Sequence, residues 1–190
     1  MWQAADDIRS EDYLEKNVET LMNDASVVGS TSPVHYEQTD LVATPKRIGD
    51  ALFEDRRYET RILTYLAFWH ANSLFYSLFR KEVLQTAARP IDAYLGFDWS
   101  IMMRVASQGP VVRISEGWLE RGAAGESSSR NILAASRSRP VHYVLPFYEV
   151  SLVAMKLARG FSVGDQLAVL ARLAKLNYLA TRINLRMLLR

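Results

Sequence analysis

Residues 94–113 constrain the fold most strongly, because they contain a helix pattern with a start signal before it and a stop signal after it. It reads Tyr-Leu-Gly-Phe-Asp-Trp-Ser-Ile-Met-Met-Arg-Val-Ala-Ser-Gln-Gly-Pro-Val-Val-Arg. Asp98 stands where the helix should begin, as an acceptor for the free N–H groups of its first turn. Four residues then recur on one apolar helical face: Trp99, Met102, Met103 and Ala106. Gly109 and Pro110 end the helix, and residues 111–114 are predicted to form a strand. Asp98 is therefore either a helix cap alone or a cap that also takes part in chemistry.

Helical and extended patterns alternate through the first 120 residues, which predicts an α/β sheet. The first helix is predicted to be capped by Ser10 and to bury Leu14, Val18, Leu21 and Met22. Further helices are predicted at residues 57–69, with Ile62, Leu66 and Trp69 on one face, and at residues 81–87. Strands are predicted at residues 27–32, 72–80 and 118–121. Residues 34–56 read as a polar connection with no clear period.

The last third of the chain has a different character. Residues 122–139 are small and polar, and we expect them to be mobile. Residues 146–159 and 163–190 are predicted to be helices, with Ser162 capping the second of them. The sequence therefore predicts a sheet-containing part over residues 1–139 and an appended helical extension over residues 140–190.

Composition excludes several kinds of site. The 190 residues include no cysteine, so disulfides and thiolate metal sites are excluded. The three histidines are scattered, which argues against a histidine metal cluster. Acidic residues arrive early, where a signal peptide would have its apolar run, and no stretch of eighteen apolar residues follows. We therefore expect a cytoplasmic location.

Basic residues are concentrated at the carboxyl end. Residues 150–190 hold seven of them against the single acid Asp165, and Arg182, Arg186 and Arg190 share one helix face. A basic amphipathic helix fits an anionic membrane surface, such as the inner face of a membrane. The alternative is a solvated face on a helix packed against the rest of the protein. No nucleic-acid partner is expected, because no recognised binding motif accompanies the charge.

Residues 2–8 are predicted to be the end of a buried strand, in which Trp-Gln-Ala-Ala runs directly into the acidic pair Asp6 and Asp7, and the first helix follows. Ligands of open α/β sheets bind in loops at strand ends. Mg²⁺ and Mn²⁺ prefer carboxylate oxygens, and either ion can hold a diphosphate. The pair is therefore a candidate metal site, with a solvated turn as the alternative.

Several motifs occur in the order that is typical of one enzyme family. Ala-Ala-Asp-Asp-Ile, followed by Glu-Asp-Tyr-Leu-Glu-Lys, resembles an acidic metal motif and a "P-[DE]-[YF]-L-E" helix. Residues 69–80 resemble "W-x-x-N…Y-G-L-F-R", and residues 97–109 resemble "D-W-x-x-x-x-R-x-A-x-x-G". Residues 116–127 resemble an "E-x-L-x-x-R-x-H-x-x-S" ending. Together these motifs resemble family 2 glycosyltransferases, which have the GT-A fold, over about 120 residues.

This resemblance implies a fold and a set of roles. The fold would be part of a GT-A domain, a Rossmann-like mixed sheet, with an appended helical pair. Asp98 would be the general base of an inverting enzyme, and Asp6 and Asp7 would bind Mg²⁺ or Mn²⁺. Arg121 would contact the phosphate of a nucleotide-sugar donor, with a solvated arginine as the alternative. Three aromatic residues would line the groove for a saccharide or lipid-linked acceptor, unless they only pack in the core: Trp69, Tyr76 and Trp118.

The chain departs from the family pattern in two places. The family's histidine after the arginine is replaced within Gly-Ala-Ala-Gly, residues 122–125. The family's first half, with its "V-S-V-V-I-P-x-Y-N" strand and its nucleotide contacts, has no counterpart before Trp2. The resemblance therefore implies the acceptor and metal half of a transferase for polysaccharide or glycolipid synthesis, with little nucleotide binding of its own. The alternative function is a non-catalytic fragment that binds a partner or a membrane surface.

Overall fold

The protein is a mixed α/β structure with two small mixed sheets. The computed structural model describes residues 1, 6–36, 39–42, 53–88, 94–122 and 137–188. One sheet has the order β1-β7-β3-β4, from strands Ile8–Arg9, Leu119–Arg121, Val34–Tyr36 and Thr39–Val42. The other has the order β5-β2-β6, from strands Leu78–Phe79, Gly29–Thr31 and Val111–Arg113. Each sheet contains one parallel pair, β3 with β7 and β2 with β6.

Six α-helices accompany the sheets within the described residues: α1 (Tyr13–Asn23), α2 (Tyr58–Tyr65), α3 (Lys81–Ala87), α4 (Phe97–Ala106), α5 (Tyr148–Leu157) and α6 (Val163–Leu188). The predicted start of α6 is confirmed, because Asp165 N–H donates to Ser162 Oγ at 3.1 Å. None of the described helices combines the length and the apolar character needed to cross a bilayer.

Helix α4 lies in the main core, where it packs with residues of the helices α2, α5 and α6. All four residues predicted to form its apolar face, Trp99, Met102, Met103 and Ala106, are buried, which confirms the prediction. Residues of α2, α5 and α6 belong to the same core cluster: Ile62, Val150, Ala154, Val169, Leu173, Leu176 and Ala180. Polar contacts reinforce this packing, because Tyr58 Oη donates to Leu157 O at 3.1 Å and Arg172 donates to the carbonyl of Leu63. The C-terminal helices therefore share one core with α4.

The predicted buried face of α1 is wrong except for Leu21. Leu14, Val18 and Met22 are exposed, and Met22 is 80% exposed. Asn17 is buried instead, where its amide donates to Ser32 Oγ at 2.8 Å and accepts from Ser30 Oγ at 2.7 Å. The helix packs on a polar strand, and hydrogen bonding makes burial of the amide favourable. Ser10 is not the cap, because α1 begins after Asp12 and Ser10 Oγ accepts the Trp118 N–H at 3.0 Å.

Two other predictions need correction. Residues 72–80 are mainly a 3₁₀ turn, Ser73–Tyr76, and only Leu78–Phe79 is extended. The connection predicted for residues 34–56 contains strands β3 and β4 and the bridge between Phe53 and Val111. In both segments the extended residues are those that pair with a strand distant in the sequence: β5 pairs with β2, and β3 pairs with β7. Residues 2–5 of the strand predicted at residues 2–8, and most of residues 122–139, lie outside the described residues.

Candidate functional site

Asp98 lies in the first turn of α4, two residues after the N-cap position, which is Gly96. Gly96 occupies the cap position with φ of 78°, and a Cβ there would lie 2.9 Å from Val150 Cγ2. Glycine fits this position because the left-handed conformation and the close neighbour both disfavour a side chain. The prediction of Asp98 as the N-cap is therefore wrong by two residues. Its carboxylate still accepts from the backbone N–H groups of Asp98 and Trp99.

Asn72 holds the other side of the Asp98 carboxylate. Its Nδ2 donates to Asp98 Oδ2 at 2.8 Å, and its Oδ1 accepts the Tyr65 hydroxyl at 2.5 Å. Asn72 has φ of 53°, a left-handed value shown by no other described residue except glycines. Such backbone geometry is uncommon outside glycine and is concentrated at functional sites. Asn72 is thus fixed on both sides, and it fixes the orientation of Asp98.

Burial shifts the ionisation of Asp98. Removal from water raises the pKa of its carboxyl above the ordinary value. The hydrogen bond from Asn72 opposes this shift, as do the backbone N–H groups and the charge of Arg121. A carboxylate whose pKa is raised accepts a proton more readily, which suits a general base.

Arg121, on β7, lies beside Tyr76. Its Nη2 donates to Tyr76 Oη at 2.9 Å, its guanidinium carbon lies 4.5 Å from the ring centroid, and its Nη1 donates to Ala71 O at 3.4 Å. Burial raises the pKa of Tyr76, the charge of Arg121 lowers it, and the charges of Asp7 and Asp98 raise it. Tyr76 and Arg121 therefore lie within the electrostatic reach of both acidic positions.

The acidic pair lies next to the end of β7. Strand β1 pairs antiparallel with β7, with Ile8 opposite Glu120, so the residues before Ile8 run alongside Arg121 and Gly122. Asp7 Oδ1 accepts the Gly122 N–H at 3.3 Å, and a Cβ on Gly122 would lie 2.3 Å from Asp6 Oδ2. The absence of a side chain at residue 122 therefore leaves room for Asp6.

These residues form one group, which we call the carboxylate site: Asp6, Asp7, Asn72, Tyr76, Asp98 and Arg121. It contains the predicted base, the predicted metal pair and the predicted phosphate ligand. Within the described part of the chain, no group of three or more histidine, aspartate or glutamate side chains could hold a metal ion.

Two of the three predicted acceptor residues, Trp69 and Trp118, have ring contacts with residues outside this group. Trp69 is 40% exposed and packs edge-on against Phe147, with ring centroids 5.1 Å apart. Trp118 is 39% exposed, and its ring lies 6.4 Å from that of His35. Tyr76 alone of the three joins the carboxylate site, through Arg121.

His70 supports the turn that carries Asn72, a role that the sequence motifs did not predict. Its Nδ1 accepts the Asn72 N–H at 3.0 Å, and its Nε2 lies 3.0 Å from Tyr65 O. Nε2 therefore carries the proton of a neutral ring. The imidazole stacks on Trp99 with centroids 4.1 Å apart. Burial lowers the pKa of His70 to about 4, although the Tyr65 carbonyl partly opposes the shift.

His70 should make the protein sensitive to mild acid. The unfolded chain binds this proton below about pH 6.5, but the folded chain binds it only near pH 4. Stability is therefore lost as pH falls between these values, by about 3 kcal/mol in total. We expect urea unfolding between pH 7 and pH 4.5 to show a smaller loss for His70→Asn than for the natural chain. Parallel pH dependences of the two proteins would contradict this assignment.

No protein-family model, curated protein or solved structure matches this chain. The function proposed for it therefore rests on the chemistry of the carboxylate site.

Proposed function

We propose that the chain is the acceptor and metal side of an inverting glycosyltransferase that uses a nucleotide-sugar donor. One observation carries the proposal: a partly buried carboxylate, Asp98, is oriented by Asn72 and lies in the field of Arg121. The acidic pair lies at the other end of the same group, near Gly122. A base, a cationic phosphate ligand and an acidic metal pair are the groups that such a transfer requires.

The proposed reaction assigns a step to each side chain. Asp98 takes the proton of an acceptor hydroxyl, whose oxygen attacks the anomeric carbon of the donor sugar. The bond from that carbon to the diphosphate oxygen breaks, and the electron pair leaves with the nucleoside diphosphate. Arg121 stabilises the negative charge on the phosphate through its guanidinium group. Asn72 holds Asp98 in position and favours its charged form.

Asp6 and Asp7 fit a role as ligands of Mg²⁺ or Mn²⁺. Asp6 Oδ2 is buried and has no hydrogen-bond partner among the described residues. A buried carboxylate oxygen without a partner is costly, and a hard cation would compensate it. When bound, such a cation would neutralise charge on the leaving diphosphate.

We expect Asp6→Asn to weaken Mn²⁺ binding by about tenfold or more, because it removes one of two charged ligands. Gly122→Ala should have a similar effect without removing any acid, since its methyl group occupies the position of the Asp6 carboxylate. The matched control is Asp12→Asn, an acid outside the carboxylate site. Mn²⁺ binding is measured by electron paramagnetic resonance. Equal affinities for all three variants would contradict the metal assignment.

The proposed function is tested by sugar transfer from a panel of nucleotide sugars, with Mn²⁺ present. The assay compares the 190-residue chain with the same chain joined to any nucleotide-binding segment that is encoded upstream in its reading frame or on a partner chain. We expect transfer by the joined polypeptide and little by the 190 residues alone. Absence of transfer from every donor in both samples would overturn the proposal.

A non-catalytic binding module is the second candidate. The exposed stripe of Leu14, Val18 and Met22 on α1 favours it, because a row of exposed apolar side chains is typical of a contact surface. This alternative predicts neither transfer nor Mn²⁺ binding that depends on Asp6. The two assays above therefore distinguish the candidates.

A further inference from the structure

An open cavity of about 330 Å³ lies between Trp69, in the segment that follows α2, and the C-terminal half of α6. Five residues line it: Trp69, Leu179, Arg182, Ile183 and Arg186. The volume falls at the lower end of the range for ligand pockets, about 300–1,000 Å³. Its walls are mainly apolar, and both polar side chains are cationic. The cavity is therefore suited to a molecule with an apolar body and an anionic head.

The two arginines of this cavity, Arg182 and Arg186, form no ion pair with any residue that the structure describes. The guanidinium of Arg182 lies over the Tyr178 ring, 5.8 Å from its centroid. Guanidinium groups bind phosphate oxygens through paired hydrogen bonds. Two uncompensated guanidinium groups beside an apolar cavity favour a phosphate-headed ligand over a neutral one.

The surface of α6 beside the cavity carries an exposed apolar stripe. With 3.6 residues per helical turn, its members face the same direction: Leu167, Leu170, Tyr178 and Leu185. Arg182 and Arg186 lie between this stripe and the cavity residues Leu179 and Ile183 on the helix circumference. Lys175 is also exposed there, and the acid Asp165 is held by the Ser162 hydroxyl. A helix with an apolar stripe flanked by cations is typical of proteins that lie on anionic membranes.

We propose that α6 lies on an anionic membrane surface and that the cavity takes the chain of one phosphate-headed lipid from it. The lipid chain packs against Trp69, Leu179 and Ile183, while its phosphate lies between Arg182 and Arg186. Tryptophan suits this position because its ring is apolar and its N–H remains accessible to polar groups, as at membrane interfaces. None of the residues that line this cavity belongs to the carboxylate site, and the lipid proposal does not depend on the transferase proposal.

The test is flotation of the full chain with vesicles of phosphatidylcholine, alone or mixed with phosphatidate. We expect binding only to the mixed vesicles. Arg182→Gln combined with Arg186→Gln should weaken binding about tenfold more than Arg159→Gln combined with Lys175→Gln. Both pairs remove two exposed positive charges, so the difference measures the cavity rather than general attraction. Circular dichroism checks that both variants remain folded.

A second measurement locates the lipid chain. Phosphatidate with brominated chains should quench tryptophan fluorescence in the natural chain, and Trp69→Phe should remove most of that quenching. Equal loss of binding in the two double variants would overturn the cavity site, as would quenching that survives Trp69→Phe. Saturable binding of short-chain dihexanoyl phosphatidate in solution, with vesicles left unbound, would overturn the membrane as the source of the lipid.

Discussion

Asp98→Asn should lower sugar transfer by about 10²–10⁴-fold, the usual contribution of a general base. The amide keeps the shape of the carboxyl and can still accept from Asn72, but it cannot take a proton. Stability should change little, because two effects oppose each other: the amide has no charge to bury, but it can accept hydrogen bonds on only one of the two sides on which the carboxylate accepts them. Because the pKa of Asp98 is raised in the folded protein, its deprotonation at neutral pH opposes folding, and the amide removes that cost. The measurements are initial rates of transfer and urea unfolding at pH 7.

The control for Asp98→Asn changes the pKa of the base without removing it. In Asn72→Gly, glycine adopts the left-handed backbone conformation without strain. The substitution removes the hydrogen bond that favours the charged form of the Asp98 carboxylate. The pKa of Asp98 should therefore rise further, and the acidic limb of the pH–rate profile should move to higher pH. Full activity of Asp98→Asn, or an unmoved acidic limb in Asn72→Gly, would contradict the assignment of Asp98 as the base.

Arg61→Met should destabilise the fold by about 3 kcal/mol, because it leaves the buried Ala106 carbonyl without its donor and removes two part-buried hydrogen bonds as well. Arg61 is only 4% exposed. Its Nε donates to Ala106 O at 2.7 Å, and its Nη1 donates to Asp55 O at 2.6 Å and to Arg56 O at 2.8 Å. These bonds tie the start of α2 to the C-terminal end of α4. A positive charge at that end also interacts favourably with the negative end of the helix dipole.

The matched control for Arg61→Met is Arg57→Met, four residues earlier. The Arg57 side chain is 72% exposed, and its Nε lies 4.0 Å from Glu59 Oε2. Such surface pairs contribute little, so we expect a change within about 0.5 kcal/mol. Urea unfolding of both variants measures the difference. Equal losses would show that the three carbonyl bonds of Arg61 do not stabilise the link between α2 and α4.

Elements with local signals were predictable from the sequence. The apolar face of α4, the bounds of α3, the strand at Val111–Arg113 and the capping of α6 by Ser162 all follow from residues close together in the chain. Features that depend on distant partners were not. The burial of Asn17 requires hydroxyl groups from Ser30 and Ser32, and no periodicity rule anticipates a polar strand beneath an amphipathic helix.

The same limit applies to the carboxylate site. Its residue types and their order could be read from the motifs, but the bond between Asn72 and Asp98 spans 26 residues and depends on a left-handed turn. The alternating, aromatic-rich pattern of residues 72–80 predicted a strand there. A 3₁₀ turn such as Ser73–Tyr76 has no distinctive sequence pattern that could have predicted it instead. Asp7 meets Gly122 only through the pairing of β1 with β7, and two-residue strands carry little periodic signal.

The shared core of α4, α5 and α6 has a consequence for how the protein is made. Ribosomes add the helices in chain order, so α4 emerges well before the residues that cover it, such as Val150 and Leu173. Until those residues follow, the tryptophan and methionine side chains of α4 have no partner from the C-terminal helices. The apolar face of α4 therefore gains its final packing only after α6 has been made. A nascent chain stalled before α6 would present an apolar surface that chaperones recognise.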